Sequence, residues 1–207
     1  YDSEDAYLEA LADALAKEYR VIVDAGFVLQ IDAPDLAMER TIHFQDLDLA
    51  SFLDRVAVHV AMINRAIGDL PRERIRLHCC WGNWDGPHLD DVALEDVLPL
   101  LYEANVGALS LPLANPRHAH EHRAFGAHPL PAHMRLLPGV IESTSNYVEH
   151  PQVVADRLRT IIAAVGDESR VIASTDCGFG TFAGYTFVAE EVVWEKLKAL
   201  SAGAALA

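Results

Sequence analysis

The sequence predicts a parallel α/β fold of about five β/α units, an open sheet or part of a TIM (β/α)8-type barrel. Two observations predict it. Short apolar strands alternate with amphipathic helices five times over, at intervals of roughly 30 to 50 residues and with no low-complexity linker between them. Polar and metal-capable residues also fall, repeatedly, just after the strands, which is where open α/β sheets and β/α barrels both carry their active sites.

Each element has its own signal. Residues 3–19 read as a helix, because Leu8, Leu11, Ala12, Leu15 and Tyr19 recur at helical spacing and Ser3 suits the N-cap. Residues 26–31 form the first strand, which ends in Asp32-Ala-Pro-Asp35. A polar loop with Arg40 and His43 follows. Residues 51–67 are amphipathic, with Phe52, Val56, Val60, Ile63 and Ile67 on one face, and Gly68 to Pro71 stop them. The second strand, around Ile75 and Leu77, runs into His78, Cys79 and Cys80. Residues 94–105 are helical through Leu94, Val97, Leu98 and Leu101, with Pro99 expected to kink or shorten them. Residues 107–111 and 136–141 are the third and fourth strands, and 152–165 a helix that faces inward through Val154, Leu158, Ile161 and Val165. Residues 170–175 are the fifth strand, and 190–200 a closing helix.

A full barrel has eight strands and about 250 residues. Five strands in 207 residues, with Tyr1 in place of an initiator methionine, predict that residues 1–207 are one partial barrel domain, the C-terminal part of a longer whole. Hydrophobic residues make up 51% of the chain, enough for a large core. A formal charge of −15 argues against nucleic acid and against an anionic membrane as partners. No apolar run approaches the roughly 18 residues of a membrane span. Three cysteines without a CxxC pair are not a disulfide framework and point to a reduced, cytoplasmic setting. No GxGxxG follows the first strand and no GxxxxGK[ST] occurs, which disfavours a nucleotide-binding fold.

The chemistry gathers at two strand ends. His78 and Cys80 are two residues apart, so an extended chain points both to one face. Cys177 follows the last strand in Ser174-Thr-Asp-Cys-Gly-Phe-Gly180. Two strands ending in soft ligands predict one zinc site assembled from distant parts of the chain. Cys79 faces the opposite side and reads as core packing. Asp176 either orients a ligand or braces a turn. His118, His120 and His122 alternate, a spacing that could make a metal site, but Arg117 and Arg123 flank them, so a solvated loop is the preferred reading. Gly178 and Gly180 suit either a phosphate or a tight turn needing positive φ, and Trp81 and Trp84 either packing or the floor of a pocket.

Gln30-Ile-Asp-Ala-Pro-Asp35, His78-Cys-Cys-Trp-Gly-Asn83, Ala114-Asn-Pro-Arg-His118, Pro138-Gly-Val-Ile141, Asn146-Tyr-Val-Glu-His-Pro151 and Thr175-Asp-Cys-Gly-Phe-Gly180 resemble, in order, the C-terminal catalytic barrel of cobalamin-independent methionine synthase. The likeness is greatest to its single-barrel relatives, the methionine synthase II-like proteins. The resemblance implies that the strands here are four to eight of a barrel. It implies zinc held by His78, Cys80 and Cys177, and Asp32 holding the amine of a substrate. Two departures stand out. The family's glutamate ligand falls at Pro112, and Thr144 lies near the position of a histidine proposed as an acid. Glu121, from the same loop as Pro112, is a candidate replacement ligand.

The activity implied is zinc-dependent methyl transfer from a methyltetrahydrofolate-type donor to the thiol of homocysteine, giving methionine. Alkylation of another thiol, as in epoxide:coenzyme M transferases, fits the same motifs, and an incomplete, inactive barrel is the non-catalytic alternative. Absent strands would leave sheet edges open, so self-association is also expected.

Overall fold

The computed structural model describes residues 1–207. Five strands form one sheet: β1 (Leu29–Asp32), β2 (Ile75–His78), β3 (Ala108–Leu111), β4 (Arg135–Ile141) and β5 (Ser174–Thr175). Each pairs in parallel with the next, in the spatial order β1-β2-β3-β4-β5. A doubly wound sheet reverses its strand order at a switch point. This one never reverses, so it is a curled arc of a β/α barrel, and β1 and β5 are its open edges.

Seven helices connect and cover the strands: α1 (Glu4–Asp24), α2 (Glu39–Ile42), α3 (Leu49–Ile67), α4 (Leu94–Leu101), α5 (Ala124–Ala127), α6 (Pro151–Val165) and α7 (Glu190–Ala204). Their ends follow local chemistry. Ser3 caps α1 by accepting the Ala6 N–H at 3.1 Å, and Asp48 caps α3 by accepting that of Ser51 at 2.7 Å. Gly68 and Gly166 end α3 and α6 with φ of 58° and 79°, values that cost a side chain strain. One core cluster of 38 buried residues runs from Leu29 and Ile31 through Leu77, Leu109 and Leu136 to Val154 and Leu158.

The five strands and the five long helices lie where the sequence predicts them, with shifted ends. The fourth helix stops at Leu101 and not at 105, since Pro99 lies inside it and Asn105 turns away to donate its N–H to Asn64 Oδ1. The fifth strand is shorter than expected. Residues 168–170 are a 3-10 turn, Val171 makes an isolated bridge to Leu136, and pairing returns at Ser174 opposite Gly139, with a register shift before Thr175 meets Ile141. The loop after β1 contains a 3-10 turn over Pro34–Leu36 and the short α2, neither signalled by hydrophobic periodicity.

The loop ends are bound to one another. Asn83, after β2, donates to the Gly178 carbonyl at 2.8 Å and accepts from the Ser143 hydroxyl at 2.8 Å. Asp176 is buried and accepts the N–H groups of Leu113 and Ala114 on Oδ1 and of Asn115 on Oδ2, at 2.8 to 2.9 Å. Burial raises its carboxyl to about 7, against those three hydrogen bonds. Of its two sequence readings, bracing a turn is the one this geometry carries.

Candidate metal centre

At the C-terminal mouth of the arc, His78, Cys80 and Cys177 bring three ligand atoms within 4.8 Å of one another. The parallel register explains the meeting. His78 is the last residue of β2, and the next residue continues the ladder by donating from Cys79 N to the Ser110 carbonyl at 3.1 Å. The chain therefore stays extended, so Cys80 returns to the face of His78 while Cys79 turns into the core and is fully buried. Cys177 arrives from β5, its N–H donated to Ser143 Oγ at 3.2 Å and its carbonyl accepting from Thr175 Oγ1 at 2.8 Å.

The three side chains tune one another. The hydrogen bond from Cys177 pulls the Cys80 thiol down to about 5, against desolvation and with help from His78. The Cys177 thiol moves the opposite way, up, because it shares its proton with the Cys80 thiolate and is buried. At neutral pH the pair thus holds one proton and one negative charge. Burial disfavours the charged form of His78, but Cys80 outweighs it, and the imidazole is raised overall. Its Nδ1 lies 3.2 Å from Ser110 Oγ, which leaves Nε2 turned toward the thiols and Asp32. A thiolate, a second thiol and an oriented imidazole are the donor set of zinc, and three protein ligands leave a position open for a substrate.

The site opens into a pocket of about 540 Å3 lined by Asp32, Met38, Ser110, Thr181 and Phe182 as well as the ligand residues. Asp32 ends β1 opposite His78 in register, with Oδ1 4.0 Å from His78 Nε2 and its side chain 72% exposed toward the pocket. The structure therefore brings all four predicted site residues into one place.

Other readings need correction. Pro112 lines a neighbouring pocket with Cys177 and offers no ligand atom. Glu121 does not reach the thiols; its Oε1 accepts the N–H of Leu94 at the start of α4, and its Oε2 faces His118. His118 is not solvated but 4% exposed, stacked on Trp81 with ring centroids 4.0 Å apart. Trp81 is likewise core, donating to the Val92 carbonyl at 2.7 Å. Neither Gly178 nor Gly180 has a positive φ. Sequence reasoning missed Asn83 and Ser143, whose importance lies in bonds to residues 60 to 95 positions away in the chain.

Fold and site together define a β/α-barrel arc with an imidazole and two thiols at the C-terminal ends of its strands. No protein-family model matches the chain. It is 26% identical over 169 residues to 2-hydroxypropyl-CoM lyase of Xanthobacter autotrophicus, an alignment covering 70% of this chain and 43% of that enzyme. Its fold is similar to that of a B12-independent methionine synthase from Shewanella sp. W3-18-1 solved with selenomethionine, with a TM-score of 0.73, 23% identity, all of this chain and 56% of that one. The chain spans about half the length of these relatives. Both are enzymes, and the structural likeness establishes the fold.

Proposed function

We propose that this chain carries the zinc-binding half of a transferase that moves a methyl or alkyl group onto a substrate thiol, with homocysteine as the thiol and a methyltetrahydrofolate-type compound as donor. The observation that carries the reading is the convergence of His78, Cys80 and Cys177 beside an open pocket that also contains Asp32. Zinc held by these three residues would supply a Lewis acid that keeps a substrate thiol ionised and nucleophilic at neutral pH. The chain's own contribution is then positional and electrostatic. Ser110 holds the His78 ring, Ser143 and Thr175 hold the Cys177 backbone, and the Cys80 thiolate limits the positive charge at the site. Asp32, largely exposed in the pocket, suits the ammonium group of an amino-acid thiol.

The similarity to 2-hydroxypropyl-CoM lyase supports a second reading, alkylation of coenzyme M by an epoxide. Asp32 weighs against it, since coenzyme M ends in a sulfonate that a nearby carboxylate repels. Three reduced cysteines support a cytoplasmic setting, and no helix is long and apolar enough to cross a membrane. The open edges at β1 and β5 support association with further barrel strands or with a second copy.

Zinc content and thiol preference test the reading together. The expected result is one equivalent of zinc lost on Cys177→Ala, and methyl transfer to homocysteine, with a methionine auxotroph rescued. Intact zinc without rescue, together with turnover of epoxypropane and coenzyme M, would instead establish the second reading.

A further inference from the structure

Behind the loop after β2 lies a second cluster, made of His88, Asp91, His118 and Glu121. Asp91 Oδ2 is 3.1 Å from His88 Nδ1 and 2.9 Å from His118 Nε2. The three atoms lie within 4.8 Å of one another. The side chains are 2% to 8% exposed, so water does not screen them.

The far side of each ring decides what the near side holds. His88 Nε2 sits 3.2 Å from the Trp84 carbonyl, which can only accept, so that nitrogen carries the hydrogen. His118 Nδ1 faces Glu121 Oε2 at 3.4 Å, also an acceptor. His118 Nε2 and His88 Nδ1 both meet Asp91 Oδ2 at hydrogen-bond distance, so without a cation protons join them. Asp91 Oδ1 is already occupied by the Thr41 hydroxyl at 3.1 Å. A cation that displaced those protons would meet three lone-pair donors aimed at one point.

Charge points the same way: Asp91 and Glu121 bring two buried carboxylates to the cluster, and a divalent cation would offset both where water does not. The separations of 2.9 and 3.1 Å are close to the edge of about 3.4 Å for ligands at 2.0–2.1 Å around a tetrahedral ion. A metal-bound histidine commonly donates its other N–H to a carboxylate or a carbonyl, as both rings are placed to do here. His118 Nδ1 and Glu121 Oε2 are both buried and face each other at 3.4 Å, longer than a good hydrogen bond, so the cluster has room to tighten around an ion.

We infer that His88 Nδ1, Asp91 Oδ2 and His118 Nε2 form a second metal site, of nitrogen and oxygen ligands, for a divalent first-row cation such as zinc. Trp84 and Trp81 stack on the two rings at 4.4 and 4.0 Å, and the ligands come from two loops, so its role is to rivet the loop after β2 to the loop after β3.

The test removes the thiol site first. The Cys177→Ser chain, stripped with chelator and loaded with zinc, is expected to keep one equivalent through gel filtration. Its Tm should rise by roughly 5–10 °C at a hundredfold excess of zinc over Kd. With cobalt(II) it should show d–d bands without sulfur-to-metal charge transfer. Adding Asp91→Asn should abolish retention and the Tm rise, with folding checked by circular dichroism. His88→Gln, which leaves Asp91 and His118 in place, should weaken binding at least tenfold should the Asn variant not fold. A Cys177→Ser chain that retains no zinc, one that gives a sulfur band, or retention indifferent to both substitutions would overturn the proposal. In the last two cases Cys80 or surface histidines are the ligands, and in the first the cluster is held by protons. The sulfur band of the parent chain reports on the thiol site alone, so failure of either site is seen separately.

Discussion

His78, Cys80 and Cys177 line a pocket of about 540 Å3, whereas the side chains of His88, Asp91, His118 and Glu121 are buried beside two indole rings, with only a small cavity against His88 and His118. Both clusters grow from the same loop after β2, and both pair histidine with residues distant in sequence. They differ in ligand softness and in access. Thiol and thiolate beside open space suit a metal that must bind and release a substrate. Buried imidazole and carboxylate suit a structural bond. The lesson is that burial, more than ligand count, separates a site for chemistry from one for architecture.

The comparison can be broken most severely at Cys177. Cys177→Ala should reduce retained zinc at the mouth from one equivalent to none and abolish thiol alkylation, while circular dichroism stays native. Unfolding of this variant would mean that the open cluster is architectural too. Next in size, Asp91→Ala should destabilise the fold by about 3–5 kcal/mol in urea, because it removes the buried carboxylate that faces both ring nitrogens. A loss below about 1 kcal/mol would remove the architectural reading of the buried cluster.

A pH experiment sharpens the contrast without mutation. Cys80 is lowered to about 5 by Cys177, so its thiolate persists above that pH and is lost as pH falls through it. Iodoacetamide should therefore modify the metal-free chain with half-maximal rate near pH 5, and Cys177→Ser should move the midpoint upward. A midpoint near 8.5, the value of a free thiol, would show that the thiols do not share a proton. The smallest effect belongs to Asp32. Asp32→Asn should leave stability within about 0.5 kcal/mol, since the side chain is largely exposed, yet raise the KM for an amine-bearing thiol roughly tenfold. An unchanged KM for homocysteine would take Asp32 out of the substrate site. Self-association is checked by light scattering, and a clean monomer at high concentration would count against the open edges as partners.

The open site was legible in the sequence because its logic is local. The two-residue spacing of His78 and Cys80 on an extended chain fixes their common face, and a parallel sheet brings strand ends to one rim, Cys177 among them. Asp32 was singled out by the family resemblance, and bracing the turn at Pro34 was its other reading. The buried cluster was not legible. His118 sits in an alternating run of histidines beside arginines, a pattern that usually faces water. Its burial depends on Trp81, 37 positions earlier, and on Asp91, 27 positions earlier. No period links these residues. The short β5 was overestimated for a similar reason, since Val171 and Ile172 are suited to a strand but the ladder slips opposite Gly139.

The bonds of Asn83 to Gly178 and Ser143 act as a chord across an arc. An arc held by its chord keeps its curvature whether or not the circle is closed. The spacing of His78 and Cys80 from Cys177 is therefore set within these five strands. A strand that paired at either open edge would meet a mouth whose spacing is already set.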